Sequence, residues 1–177
     1  MSVLFLDIET TGINPLSDQI VLIGVKELDK PPYTFFTGSE TDILKDFHNY
    51  LLKEVSPETH IICGWKIERF DLRFIRARSL VNNIPELIHT LHNYKILDLA
   101  SIVDRYLILP DQTSKSSEVL NAFKIEKNDT ITGKDVPSLY KVGKIGEIVI
   151  HNYYDIKVTE KLFHKLRPLL KLDGWEV

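Results

Sequence analysis

Short apolar runs alternate with longer amphipathic stretches along this chain, and the alternation sets its expected elements. Val3-Leu4-Phe5-Leu6 is a continuous run of strand-forming residues, the pattern of a central strand covered on both faces. Ile13 to Gln19, with Asn14-Pro15, reads as a loop. Ile20, Val21, Leu22, Ile23 and Val25 place a second strand within Gln19–Leu28; Asp29-Lys30-Pro31-Pro32 makes a turn and Tyr33–Thr37 a third strand. Three early strands with short turns read as an antiparallel meander. Glu40–Val55 then switches to helical spacing, with Ile43, Leu44, Phe47, Leu51 and Leu52 on one stripe, and Ser56-Pro57 stops it. His60–Gly64 reads as a short buried strand. A helix begins near Phe70, its core face expected at Phe70, Phe74, Ala77 and Val81. Lys95–Leu99 reads as a fifth strand. From about Ser101 the chain is mostly helical, broken by Pro110 and a Lys127–Pro137 loop, and ends in a helix from about Ile145 to Leu170. This order predicts an α/β fold, a mixed five-stranded sheet flanked by helices.

The polar interruptions carry the chemistry. Asp7 and Glu9 follow the first apolar run, and side chains two apart on a strand point to the same side. Two carboxylates side by side where a buried strand emerges repel each other, and a divalent cation relieves that cost; hard oxygen ligands suit Mg²⁺ or Mn²⁺. Thr10-Thr11-Gly12 supplies a tight polar turn where a ligand can approach the backbone. Taken alone, two such acids more often mark a strand ending in solvated carboxylates, so the metal reading needs further acids from elsewhere.

Asp71 opens the helix after the fourth strand, a position that also suits a helix-capping aspartate. Beside it Lys66, Arg69, Arg73 and Arg76 are spaced three, four and three, a basic stripe if the segment is helical throughout. Such a stripe is either a solvated face or a track that steers a phosphate backbone toward the acids. His151 and Asp155, four apart, share one face of the last helix. The pair fits a surface contact, or a metal ligand beside a group that orients water.

Composition narrows the classes. The 177 residues, 44% hydrophobic, are sized for one domain over 1–177 with a sizeable core. A net charge of −3 provides no global basic field for passive nucleic-acid binding, but leaves open an enzyme that neutralises phosphate locally with metal. Cys63 is the only cysteine, so neither an intrachain disulfide nor a cysteine zinc site is available. No apolar run approaches the ~18 residues of a membrane span, and the expectation is a soluble, intracellular, cytoplasmic protein with no membrane partner.

Together Phe5-Leu6-Asp7-Ile8-Glu9-Thr10-Thr11-Gly12, Phe70-Asp71-Leu72 and Asp155 resemble, in order, the three motifs of the DEDD (DnaQ-like) 3′–5′ exonuclease superfamily, which has a ribonuclease H-like fold. Ser117–Phe123 is similar to the helix that often precedes the third motif. The resemblance implies that Asp7, Glu9, Asp71 and Asp155 hold two divalent cations, Mg²⁺ or Mn²⁺, typically about 4 Å apart. It implies that His151 orients or deprotonates the attacking water, and that nucleoside 5′-monophosphates leave the 3′ end of nucleic acid, single-stranded DNA or RNA. By similarity Thr10, Thr11 and Ile13 contact the terminal nucleotide. Trp65 is either a base-stacking platform or a packed anchor of the strand end. Lys66, Arg69 and Arg73 are the candidate phosphate contacts.

The chain departs from the family pattern twice. Where many members have Asn five residues before the second-motif Asp, it has Lys66. Its third motif has the tyrosine-type spacing of four before the last Asp, but His151 fills the slot and Ile150 stands at five. An endonuclease or resolvase on the same sheet, or a non-catalytic binding module, are the rival expectations. With no polymerase domain in the sequence, any proofreading or repair role needs a partner in trans.

Overall fold

A computed structural model describes residues 1–109 and 112–177; the expected break at Pro110 lies outside the described residues. The sheet has five strands: β1 (Ser2–Thr10), β2 (Ile20–Glu27), β3 (Thr34–Phe36), β4 (His60–Gly64) and β5 (Lys95–Asp98). Their order is β3-β2-β1-β4-β5, which puts β1 at the centre. The first three form the antiparallel meander, and β4 and β5 add on in parallel. Parallel neighbours need crossovers, and helices supply them. α1 (Glu40–Glu54) joins β3 to β4, and α2 (Asp71–Val81) with α3 (Glu86–His92) joins β4 to β5. α4 (Leu99–Tyr106), α5 (Ser116–Ala122), α6 (Val136–Lys141) and α7 (Ile145–Leu172) follow.

Period-two alternation along β1 sorts its side chains into two cores. Leu4, Leu6 and Ile8 face Ile43, Leu44, Phe47 and Leu51 of α1 and Leu72, Phe74 and Ile75 of α2. Val3 and Phe5 face the other way, onto Ile102 and Val103 of α4 and Ile156, Leu162, Phe163 and Leu166 of α7. Phe5 meets Phe163 edge to face at 5.6 Å, a contact whose loss to alanine costs about 3–5 kcal/mol. Among the described residues no helix is long and apolar enough to cross a membrane.

Three expected details differ. Leu52 is 63% exposed, because the stripe facing the sheet ends at Leu51. On α2 the buried positions are Leu72, Phe74, Ile75, Arg78 and Ser79, while Val81 is exposed. The helix starts one residue after Phe70, and its buried face is rotated because Arg78 turns inward to pair with Glu40. α3 is an additional helix, too short for its period to stand out from the sequence.

Candidate active site

The acids of the first motif lie inside the central strand rather than beyond its end. Asp7 pairs in register with Gly24 and Glu9 with Leu22, and the ladder shifts only between Glu9 and Thr10. Both continue the odd-numbered row of Val3 and Phe5, so they emerge on the face covered by α7. The apolar row thus becomes a carboxylate row without a break in the strand.

α7 answers that row with a polar patch of its own. Within an otherwise apolar face, His151 and Asn152 are buried, and Asp155 stands one turn beyond His151. Asn152 Nδ2 donates to Asp7 Oδ2 at 2.6 Å and reaches Glu9 Oε1 at 3.4 Å. His151 Nε2 faces Asp155 Oδ2 at 3.3 Å and Glu9 Oε1 at 3.7 Å. Gly24 makes this approach possible: a β-carbon there would sit 1.7 Å from Asn152 Oδ1. Glu9, His151 and Asp155 each offer a ligand atom within 4.8 Å of the others, one of two such clusters among the described residues.

Asp71 reaches the same place from the other side of β1. It begins α2 and its Oδ1 accepts the Ile8 N–H at 3.1 Å, which ties the helix start to the strand between the two acids. The bend that delivers it is held by a second buried acid, Asp98, at the end of β5. Asp98 accepts from the backbone N–H groups of Lys66 at 2.9 Å and Glu68 at 3.4 Å, and caps α4 through Ala100. Lys66 itself sits at φ 55°, the left-handed region, so Lys66, Arg69 and Arg73 do not share one helical stripe.

The fourth contribution comes from the loop between α5 and α6. Asp129, its side chain 4% exposed, accepts His151 Nδ1 at 2.5 Å through Oδ2. Lys127 Nζ lies 2.6 Å from Asp155 Oδ1 and 3.6 Å from Asp129 Oδ2.

Charge is under-compensated here. Burial raises Asp7 well above the usual carboxylate range, and repulsion from Asp155, Asp71 and Glu9 adds to it. Glu9 rises for the same reasons, burial first and Asp155 next, against the opposing pull of Asn152 and Lys127. Burial pushes Asp71 up to about 7, in spite of the amide hydrogen bonds it accepts. Asp129 goes the other way: burial works to raise it, but the hydrogen bonds from His151 and the Ile131 amide hold it below its ordinary value. Among the described residues no lysine or arginine ion-pairs with Asp7, Glu9 or Asp71.

One cleft of about 1250 Å³ gathers these groups. Of the residues expected at the site, Asp7, Glu9, Asp71, His151 and Asp155 all line it, with Thr10, Ile13, Trp65 and Lys66. Thr11, Arg69 and Arg73 do not. Thr11 holds the loop base instead, exchanging hydrogen bonds with Gln19, and Arg69 lies 3.9 Å from Asp104. Gly12 lines the cleft as well, and the space left by its missing β-carbon holds the Asp18 carboxylate, which a β-carbon would meet at 2.3 Å.

The sequence reading missed Asp98, Lys127, Asp129 and Asn152, and the lysines Lys124 and Lys134 on the cleft wall. Asn152 was open to discovery, since it neighbours His151 on a helix whose next position on that face is Ile156. Asp129 and Lys127 lie in an irregular loop, where no periodicity signals direction.

A central β1 flanked antiparallel by β2 and parallel by β4, with acids on its α7 face, is the arrangement of a ribonuclease H-like fold. The chain belongs to the RNase_H superfamily, whose sequence model matches residues 4–167. An uncharacterized protein of Methanocaldococcus jannaschii is 37% identical over 84 residues, 48% of this chain and 45% of that protein. Among solved structures, the family B DNA polymerase of the hyperthermophilic archaeon Pyrobaculum calidifontis superposes with a TM-score of 0.76 at 19% identity, over 95% of this chain and 25% of the polymerase. Escherichia coli exonuclease I in complex with a dT13 oligonucleotide gives 0.67 at 15% identity, over 98% of this chain and 42% of the other. A second exonuclease I structure gives 0.68 at 16%, over 97% and 42%. At these identities the likeness is one of fold, and the chain spans less than half the length of each of these relatives.

The donor set fits divalent metal. Hard oxygen donors converge from β1, α2 and α7, and burial with mutual repulsion raises Asp7, Glu9 and Asp71, a cost that a divalent cation would relieve.

Proposed function

We propose that residues 1–177 form a 3′–5′ exonuclease domain of the DEDD type, which hydrolyses nucleic acid from its 3′ end with Mg²⁺ or Mn²⁺. The observation that carries this reading is the pair of carboxylates on the central strand, Asp7 half-buried and Glu9 buried, joined by Asp71 and Asp155 with too few fixed cations to balance them. Asp7, Glu9, Asp71 and Asp155 would hold two cations. Bound there, the metal would supply positive charge for the phosphate and make a water acidic enough to attack at neutral pH.

His151 Nε2 is directed at Glu9 and Asp155, and accepts the proton as water adds to the terminal phosphorus. The bond from that phosphorus to the 3′ oxygen of the preceding nucleotide breaks. A nucleoside 5′-monophosphate leaves and a new 3′ hydroxyl remains. Thr10 Oγ1 donates to Gly12 O at 2.6 Å, which shapes the turn that presents Ile13 to the cleft. Ile13, 87% exposed, and Trp65 offer apolar surface to a terminal base. Lys66, Lys124, Lys127 and Lys134 provide local positive charge for a phosphate backbone in an otherwise acidic chain. Single-stranded DNA is the first substrate to test, with RNA beside it.

The deciding experiment compares 3′-labelled and 5′-labelled single-stranded DNA, duplex DNA, RNA and circular single strands, with Mn²⁺, with Mg²⁺ and with chelator. The expected result is metal-dependent release of labelled mononucleotide from 3′ ends while circles stay intact. Cleavage of circles, or binding with no metal-dependent product, overturns the exonuclease reading.

A further inference from the structure

His151 faces the acids through Nε2, and its other nitrogen is as firmly engaged. Nδ1 and Asp129 Oδ2 lie 2.5 Å apart, with the two side chains 3% and 4% exposed. Asp129 comes from the α5–α6 loop, twenty-two residues earlier in the chain, so the contact does not follow from helix geometry. The remaining Asp129 oxygen, Oδ1, accepts the Ile131 N–H at 2.9 Å, an Asx-type turn that fixes the plane of the carboxylate. We propose that Asp129 is a positioning residue for hydrolysis: it accepts the Nδ1 proton of His151 and so keeps the Nε2 lone pair turned toward Glu9 and Asp155. The inference rests on the exonuclease reading for its effect on turnover, but not for the hydrogen bond itself.

The physical reason is that a neutral imidazole carries one N–H, and the partner of one nitrogen decides which nitrogen keeps it. A carboxylate only accepts, and Asp129 at 2.5 Å is closer to Nδ1 than Asp155 at 3.3 Å and Glu9 at 3.7 Å are to Nε2, so the tighter contact selects Nδ1–H; with Glu9 and Asp155 committed to metal, Nε2 is left free to receive a proton. The same partner restrains the ring from rotating within its pocket. This is the orienting role that carboxylates play behind catalytic and metal-binding histidines in unrelated proteins.

The geometry also supplies the decisive variant. In Asp129→Asn one oxygen becomes NH₂. With Oδ1 retained by the Ile131 amide, the NH₂ faces Nδ1 and donates to it. The imidazole proton then moves to Nε2, which points a donor at the site where an acceptor is needed. Shape and size are kept while the hydrogen-bond sense is reversed. Asp129→Glu, with its carboxylate intact, is the rescue variant.

The test reads the imidazole nitrogens of His151 by ¹⁵N NMR in the Mg²⁺-loaded protein, above the ordinary titration range of histidine, with His151→Gln to assign the signal. Kinetics on a 3′-labelled oligonucleotide accompany it. Wild type is expected to show a protonated Nδ1 and Asp129→Asn a protonated Nε2. The Asn variant should lose kcat by roughly 10–100-fold with KM within about twofold, and Glu should restore part of it. A folded Asp129→Asn with wild-type kcat overturns the proposal, as does a rise in KM alone. Protonated Nε2 in the wild-type protein also overturns it, and that measurement decides even if the variant does not fold. If wild type shows the expected nitrogen pattern but digests no nucleic acid, the exonuclease reading fails, and the positioning role in hydrolysis fails with it; the hydrogen bond alone survives.

Discussion

Two buried carboxylate sites flank the same sheet and are built on opposite principles. Glu40, at the start of α1, has a side chain only 8% exposed and every need met. Arg78 grips it with Nε at 2.9 Å and Nη2 at 2.7 Å, Asn82 Nδ2 adds 2.9 Å, and the Ile20 amide 2.7 Å. Burial works to raise its pKa, but these bonds outweigh burial and hold it below the ordinary range. On the opposite face Glu9 is buried and Asp7 half-buried, with an amide, a mostly covered lysine and each other for company, and their pKa values go up. The sequence has the means to satisfy a buried acid permanently and uses them at Glu40. At the cleft, among the described residues, no such guanidinium is supplied to Asp7 or Glu9, and under the proposed function a divalent cation would bring the positive charge.

The largest effect that follows is at Asp7. Asp7→Asn should lower metal-dependent hydrolysis by roughly a thousandfold or more, about 4 kcal/mol of barrier. The same change removes a repelled charge, so the metal-free protein should melt a few degrees higher, as an optimised site for function rather than stability would. Calorimetry without metal, together with single-turnover assays, checks both. A destabilised Asp7→Asn would mean that its carboxylate is satisfied as Glu40 is.

The opposite signature belongs to Glu40→Ala. It leaves the Arg78 guanidinium buried without its partner, so unfolding in urea should show a loss of about 3–5 kcal/mol. The fraction that remains folded should keep wild-type kcat. Loss of kcat greater than loss of folded protein would join the two sites that the comparison separates.

Acidity separates them as well. Asp7, Glu9 and Asp71 have folded pKa values above their unfolded ones, so their contribution is fully present below the unfolded value near 4 and is lost as pH rises toward about 7, the value for Asp71. Glu40 has a lowered folded pKa, so its contribution is present above the ordinary value of 4.5 and is lost as pH falls through the folded one. Metal-free protein should therefore be most stable at mildly acidic pH and lose several degrees of Tm by neutrality. Saturating Mg²⁺ should abolish that decline, because the ion binds the ionised acids. Melting curves across pH, with and without Mg²⁺, measure it; a metal-free Tm that rises steadily to neutrality contradicts the carboxylate assignment.

How much of this was legible in the chain depended on regularity. Val3 to Glu9 announced itself because strand alternation is strict: once Phe5 is inside, Asp7 and Glu9 must follow on the same side. His151 and Asp155 were equally legible as neighbours one helical turn apart. The Lys66–Arg76 stripe misled for the complementary reason. It assumed a helix through residues that instead make a turn around Asp98, with Lys66 at positive φ. Asp129 and Lys127 belong to a loop whose side-chain directions are set by tertiary hydrogen bonds, so their approach to α7 had no sequence signal. Arg78 was hidden by charge, since an apolar stripe is expected to exclude it until its partner Glu40 is known.

The smallest effect sharpens the comparison at the level of substrate. Arg73 is exposed on α2 and outside the cleft, whereas Lys124 and Lys134 line its far wall. If the phosphate backbone runs along the α5–α6 loop, each lysine that contacts it contributes about 0.7 to the slope of log kcat/KM against log salt on a single strand. Lys124→Ala and Lys134→Ala should each lower kcat/KM by about two- to fivefold at low salt and flatten that slope, with kcat nearly unchanged. Arg73→Ala should leave both quantities within about twofold of wild type. A flattened slope in Arg73→Ala with none in the lysine variants would place the strand along α2 instead. In that case the loop would serve the cleft only through Lys127 and Asp129, and the acidic row on β1 would be approached from the side on which Asp71 enters.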